Sequence, residues 1–171
     1  MQKIKVGILT FSDGREYVNA ELRPIIFEFQ KELEHALLKS KEIEPIVATE
    51  IIWTPDLARR EAQRLSELGC EVTIFNFAVW SFPHFSIIAA QFAPKPFLLF
   101  GNINPQYPGM VGLLAAAGAL DQIGVPHGRI FGDIRDPEVL RKVLAFIRAA
   151  SAINRLKGET FGLFGGRPMG M

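Results

Sequence analysis

Three short stretches of this chain hold side chains suited to gripping a small polar ligand. The first is Ser12-Asp13-Gly14-Arg15, in which Arg15 offers five N–H donors in a rigid planar fork. The second is the aromatic stretch 77–85, where Trp80 presents a flat apolar face with one hydrogen-bonding edge beside Phe77, Phe82 and Phe85. The third is the polar loop 101–109, whose Asn102 and Asn104 both donate and accept. Stacking faces combined with a bidentate donor and amides suit a neutral, polyhydroxylated ligand such as a sugar. The same aromatics equally serve as core or interdomain packing, and for Trp80 both readings stand.

Other chemistries find less support. A phosphate at the first strand–helix junction needs free N–H groups without a nearby negative charge, and Asp13 would repel it. No Gly-x-Gly-x-x-Gly follows the first strand, and there is no Walker A pattern. A phosphoryl receiver needs an aspartate where this chain has Phe75-Asn76-Phe77. His84 and His127 are expected to flank loops at the productive edge, within reach of Asp13, Asp133 or Asp136, whereas His35 lies on a solvated helix. No His-x-x-x-His or Glu-x-x-His spacing supports a metal, so ordinary loop histidines are the expectation. Ser12 and Ser81 lack a nucleophile elbow, and Cys70 is expected to be buried and inert. No catalytic residue and no metal ligand is assigned.

The elements that must hold these loops alternate regularly. Strands are expected over 4–10, 45–52, 71–77, 96–100, 128–131 and 160–164, with helices over 19–38, 55–68, 86–92, 110–123 and 137–156. Pro24 is expected in the first turn of its helix, Thr54-Pro55 and Asp136-Pro137 are N-terminal signals, and Gly69 is a stop. Such alternation predicts an α/β fold: a flavodoxin-like, doubly wound, mostly parallel sheet of five to six strands with helices on both faces. Function in such sheets gathers at the carboxyl ends of the strands, where all three stretches fall.

Composition narrows the class further. The 171 residues suit one domain, and 49% hydrophobic with 22% charged residues argue for a packed core. A net charge of +1 carries no nucleic-acid signature. One cysteine makes no disulfide framework, and no apolar run is long enough to span a bilayer; a soluble cytoplasmic protein is the expectation.

At its loops the chain resembles the L-fucose isomerase family of aldose–ketose isomerases. Four stretches carry the likeness. They are the turn Ser12-Asp13-Gly14-Arg15; Trp80 after the third strand; Phe100-Gly101-Asn102 with Tyr107-Pro108-Gly109 and the alanine-rich helix that follows; and Leu156-Lys157-Gly158 with Gly165-Gly166-Arg167-Pro168-Met169-Gly170-Met171. The resemblance covers only the first of three domains. It implies residues 1–158 as an α/β N-terminal domain and 159–171 as a strand and glycine-rich junction towards a second domain. It further implies a divalent metal, usually Mn²⁺, held by a glutamate, an aspartate and a histidine outside this chain, and an ene-diol proton transfer there. Arg15 and Trp80, with Asn102, would enclose a monosaccharide such as L-fucose or D-arabinose at a neighbouring subunit's active site in a homo-oligomer, a hexamer. The chain is therefore expected to be the substrate-enclosing part of an isomerase and inactive alone. A stand-alone flavodoxin-like module for a small ligand or partner is the alternative, and a sugar-sensing binding protein a third reading.

Overall fold

A computed structural model of the chain describes residues 3–166. Five parallel strands form one sheet: β1 (Ile4–Phe11), β2 (Ile43–Val47), β3 (Val72–Phe77), β4 (Phe97–Gly101) and β5 (His127–Phe131), in the order β2-β1-β3-β4-β5. Five helices connect or follow them: α1 (Glu16–Leu38), α2 (Pro55–Glu67), α3 (Pro83–Phe92), α4 (Gly109–Gln122) and α5 (Pro137–Leu156). The order reverses at β1, which is flanked by β2 and β3; this is where doubly wound sheets open a crevice.

The helices divide between the two faces. Ala58, Ala62 and Leu65 of α2, Phe85 and Ala89 of α3, and Leu113 and Ala117 of α4 share one core with Leu9, Phe11, Phe75 and Phe77. On the other face, Leu33 and Leu37 of α1 and Val143 and Ile147 of α5 pack with Val6, Ile8, Ile74 and Phe100. Residues of β3 and β4 are buried throughout, as strands covered on both faces must be. The Phe11 and Phe77 rings stack at 5.2 Å between centroids, fixing β1 against β3 near their carboxyl ends.

Several start and stop signals act as the residues require. Thr54 Oγ1 accepts from the Leu57 N–H at the head of α2, and Asp136 Oδ1 accepts from the Glu138 N–H at the head of α5. Gly69 closes α2 at φ 71°, a conformation that costs glycine nothing.

Other expectations need correction. Helix α1 begins at Glu16, three residues early, because the Asn19 N–H already bonds to the Arg15 carbonyl. Pro24 therefore lies inside the helix rather than in its first turn. It removes a bond to the Ala20 carbonyl, and both residues are exposed, where that carbonyl is open to solvent. Strand β2 is shorter than expected, with Ile52 forming only an isolated bridge to Phe11, and α3 starts three residues early at Pro83. Residues 160–164 form no strand: they are exposed and lack a ladder partner among the described residues, so their apolar alternation has nothing to pair with. The end of the glycine-rich junction, 167–171, lies outside the described residues.

The final helix leaves at the sheet's amino edge. Glu71, just before β3, accepts from Ser151 Oγ at 2.7 Å and from Arg155 Nε at 2.9 Å, and Asn154 Nδ2 donates to the Glu71 and Lys95 carbonyls. These bonds pin the end of α5 at the pole opposite the strands' carboxyl ends.

Candidate functional site

Register aligns the loops that matter. Phe11 faces Phe77, Phe77 faces Gly101, and Gly101 faces Phe131, so the four strands end in one row. Ser12, Ala78, Asn102 and Gly132 come next, side by side along the carboxyl edge.

The β1–α1 turn is built around Asp13. Its Oδ1 accepts from the Arg15 backbone N–H at 2.9 Å, the bond of an Asx turn, and from Arg15 Nε at 2.9 Å. Its Oδ2 accepts from Arg15 Nη2 at 2.7 Å. Asp13 is 2% exposed and Arg15 is 55% exposed, so a buried carboxylate holds one edge of a guanidinium whose other edge faces outward. The hydrogen bonds from Arg15 hold the Asp13 carboxyl below its usual range despite burial, which acts to raise it; the same bonds raise Arg15. Nη1 of Arg15 meets no carboxylate among the described residues; the Tyr17 side chain lies beside the guanidinium, its ring centre 5.9 Å from the guanidinium carbon, and adds slightly to raising Arg15.

Glycine joins this turn to the aromatic loop. A β-carbon on Gly14 would stand 2.9 Å from Phe85 Cζ and 3.1 Å from Phe82 Cδ2, so the backbone lies directly on those rings. Trp80 meets Phe82 edge-on at 6.1 Å between ring centres and stays half-buried. Phe85 is in the core and Phe82 packs against it, so the phenylalanines are packing residues. His84, exposed, lies 4.2 Å from the Phe85 ring centre.

Small residues on α4 bring the third loop in. A β-carbon on Gly109 would collide with the Phe77 carbonyl and stand 3.0 Å from those of Ala78 and Asn102. One on Gly112 would lie 2.8 Å from the Val79 carbonyl. The first turn of α4 thus rests on the backbone leading to Trp80. Asn102 donates its backbone N–H to the Phe77 carbonyl, and its buried side chain has no hydrogen bond among the described residues. Asn104 is spent differently: its Oδ1 accepts from the Gln106 N–H and shapes the loop.

The three predicted ligand residues therefore share one edge of the sheet, Arg15 and Trp80 linked through Gly14 and Phe82. His127 does not join them. It is the first residue of β5, at the amino edge, paired in register with Phe97, and its ring bonds to the Val125 carbonyl and Arg129 Nε. The sequence reading misplaced it by treating the strand start as a loop. Burial lifts the Cys70 thiol to about 11, as an inert thiol requires. Among the described residues no three His, Cys, Asp or Glu side chains come together as a metal site requires. A groove of about 550 Å³ between the end of α5 and Phe161 lies at the opposite pole from these loops.

Sequence reading missed the partner of Arg15 and a second turn of the same kind. Asp133 Oδ1 accepts from the Arg135 backbone N–H at 2.8 Å and from Arg135 Nε at 2.9 Å, and Oδ2 accepts from Nη2 at 2.7 Å. The Asp-x-Arg spacing was the signal in both places. Here Nη1 also reaches Glu32 of α1 at 3.4 Å, so a second carboxylate shares the guanidinium.

Comparison with known proteins follows the same outline. A family model described as L-fucose isomerase, first N-terminal domain, matches residues 3–158. The chain is 29% identical to L-fucose isomerase of Citrobacter koseri, 28% to that of Klebsiella pneumoniae and 27% to that of Salmonella arizonae. Each match covers all of this chain and 32% of the relative, so the chain spans about a third of the length of these relatives. No described helix is long and apolar enough to cross a membrane.

Proposed function

This chain belongs to the L-fucose isomerase family, matching its first N-terminal domain, and we propose that it forms the sugar-enclosing part of a longer aldose–ketose isomerase of the L-fucose/D-arabinose type. One observation carries the reading. An arginine fork with an open edge, a half-exposed tryptophan and an unengaged amide share the sheet edge where such folds bind ligands. Under this proposal Arg15 donates to sugar hydroxyls, Trp80 covers an apolar face of the sugar and excludes water, and Asn102 adds an amide.

Among the described residues no three His, Cys, Asp or Glu side chains come together to hold a divalent metal by themselves. Mn²⁺ and the acid–base groups belong, on this reading, to the rest of the polypeptide, and the chain alone is inactive. The enclosed sugar sits at a neighbouring subunit of a cytoplasmic homo-oligomer, a hexamer.

The test is Trp80→Ala in the full-length isomerase, assayed with Mn²⁺ and an aldose. KM should rise about tenfold, the scale of one lost aromatic contact, with kcat changed less. A variant that unfolds, or one with normal KM, contradicts the reading, as does isomerase activity from the 171-residue chain alone.

A further inference from the structure

We infer that Asp13 is a positioning and specificity residue: it aims the open edge of Arg15 and cancels its charge, so that the site takes a neutral polyol and rejects a phosphorylated one. The inference rests on the reading that Arg15 meets the ligand. Three bonds from one residue to one carboxylate fix the guanidinium plane: the backbone N–H and Nε on Oδ1, and Nη2 on Oδ2. The carboxylate is 2% exposed, so water does not compete for it, while the arginine's far edge stays outside.

Charge decides what that edge can hold. A phosphate monoester gains most from an unpaired cation or from helix N-terminal N–H groups without a nearby negative charge. Here the cation is already paired, and a fixed negative charge sits at the head of α1, at the strand–helix junction where an anion would otherwise bind. A hydroxyl needs only a directed donor, and Nη1 remains one. Hydrogen bonding to Arg15 also keeps Asp13 ionised, against burial, so the cancellation persists throughout the neutral range. The Asp133–Arg135 turn supplies a contrast within the same molecule: there a second carboxylate, Glu32, pairs with Nη1, the nitrogen that Arg15 leaves free of any carboxylate.

The experiment is a titration of the ¹⁵N-labelled 171-residue chain with an alditol and, separately, with inorganic phosphate. It follows the Arg15 Nε–H and Trp80 indole N–H resonances. For the unaltered chain, alditol should shift both signals and phosphate neither. Asp13→Asn should weaken alditol binding about tenfold and let phosphate bind at least tenfold more tightly, the scale of one charge-assisted hydrogen bond. Asp13→Glu keeps the charge and displaces it, so it should lose alditol binding while still rejecting phosphate; it carries the test if Asp13→Asn does not fold. Alditol binding by the unaltered chain with no change of preference in either variant overturns the inference and leaves the sugar reading standing. No alditol response in any form, with phosphate binding gained in Asp13→Asn, overturns the sugar reading and leaves the charge cancellation standing. No response to either probe in any form contradicts both.

Discussion

The molecule contains two Asp-x-Arg turns at the same height on one sheet edge, and they are used in opposite ways. Asp13-Gly14-Arg15 follows β1 and Asp133-Ile134-Arg135 follows β5, three strand spacings away, or about 14 Å. In both, the aspartate closes an Asx turn and takes two guanidinium nitrogens. In the β5 turn the middle residue anchors the loop: Ile134 is 5% exposed and packs in the core, while Asp133 is 44% exposed and Arg135 leans on Glu32. The β1 turn inverts this. Its middle residue is a glycine pressed on Phe82 and Phe85, its aspartate is the buried member, and its arginine keeps one edge open. The same local hydrogen-bond pattern makes a strut in one place and a presented donor in the other. What differs is where the hydrophobic anchor sits and whether a second carboxylate arrives.

That contrast can be broken residue by residue. The largest effect belongs to Ile134→Ala, which empties a core position against α5 and should cost about 3 kcal/mol in chemical denaturation. Next comes Asp13→Ala, which removes three bonds to a buried carboxylate but frees a half-exposed arginine to water, at about 2 kcal/mol. Asp133→Ala breaks a solvent-screened pair and should cost ~0.5 kcal/mol or less. If the two aspartate variants prove equally costly, the inversion is wrong.

A smaller effect concerns acid. Both carboxyls are held below their ordinary 3.8, each mainly by its arginine's hydrogen bonds. A carboxyl with a lowered folded pKa adds stability above its unfolded pKa, and that stability disappears as pH falls through the folded value. The chain should therefore lose stability as pH drops below about 4. Asp13→Asn should flatten that limb of a denaturation-midpoint profile more than Asp133→Asn does.

Much of the architecture was legible from residue types alone. Strand–helix alternation, the Thr54 and Asp136 caps and the Gly69 stop report local backbone physics, and local physics decided them. Three features were not legible, because each depends on something distant in sequence or on a short polar bond. Residues 160–164 have a strand's apolar pattern, yet a strand exists only with a partner. The start of α1 was set by the Asp13–Arg15 turn rather than by the apolar period beginning near Leu22. His127 looked like a loop residue until pairing with Phe97 put it at the amino edge. For the site, Arg15, Trp80 and Asn102 could be named from chemistry, but the asymmetry between the two arginines required the position of Glu32 on α1.

The most direct test of the account compares those arginines in the full-length isomerase. Arg15→Ala should raise the KM for aldose at least tenfold, as expected for a lost directed donor to the substrate. Arg135→Ala should leave KM within about twofold, since its guanidinium bridges Asp133 and Glu32 three strands away from the β1 turn. Equal changes in the two variants, or an unchanged KM in Arg15→Ala, would contradict the claim that the β1 turn is the one that meets the sugar.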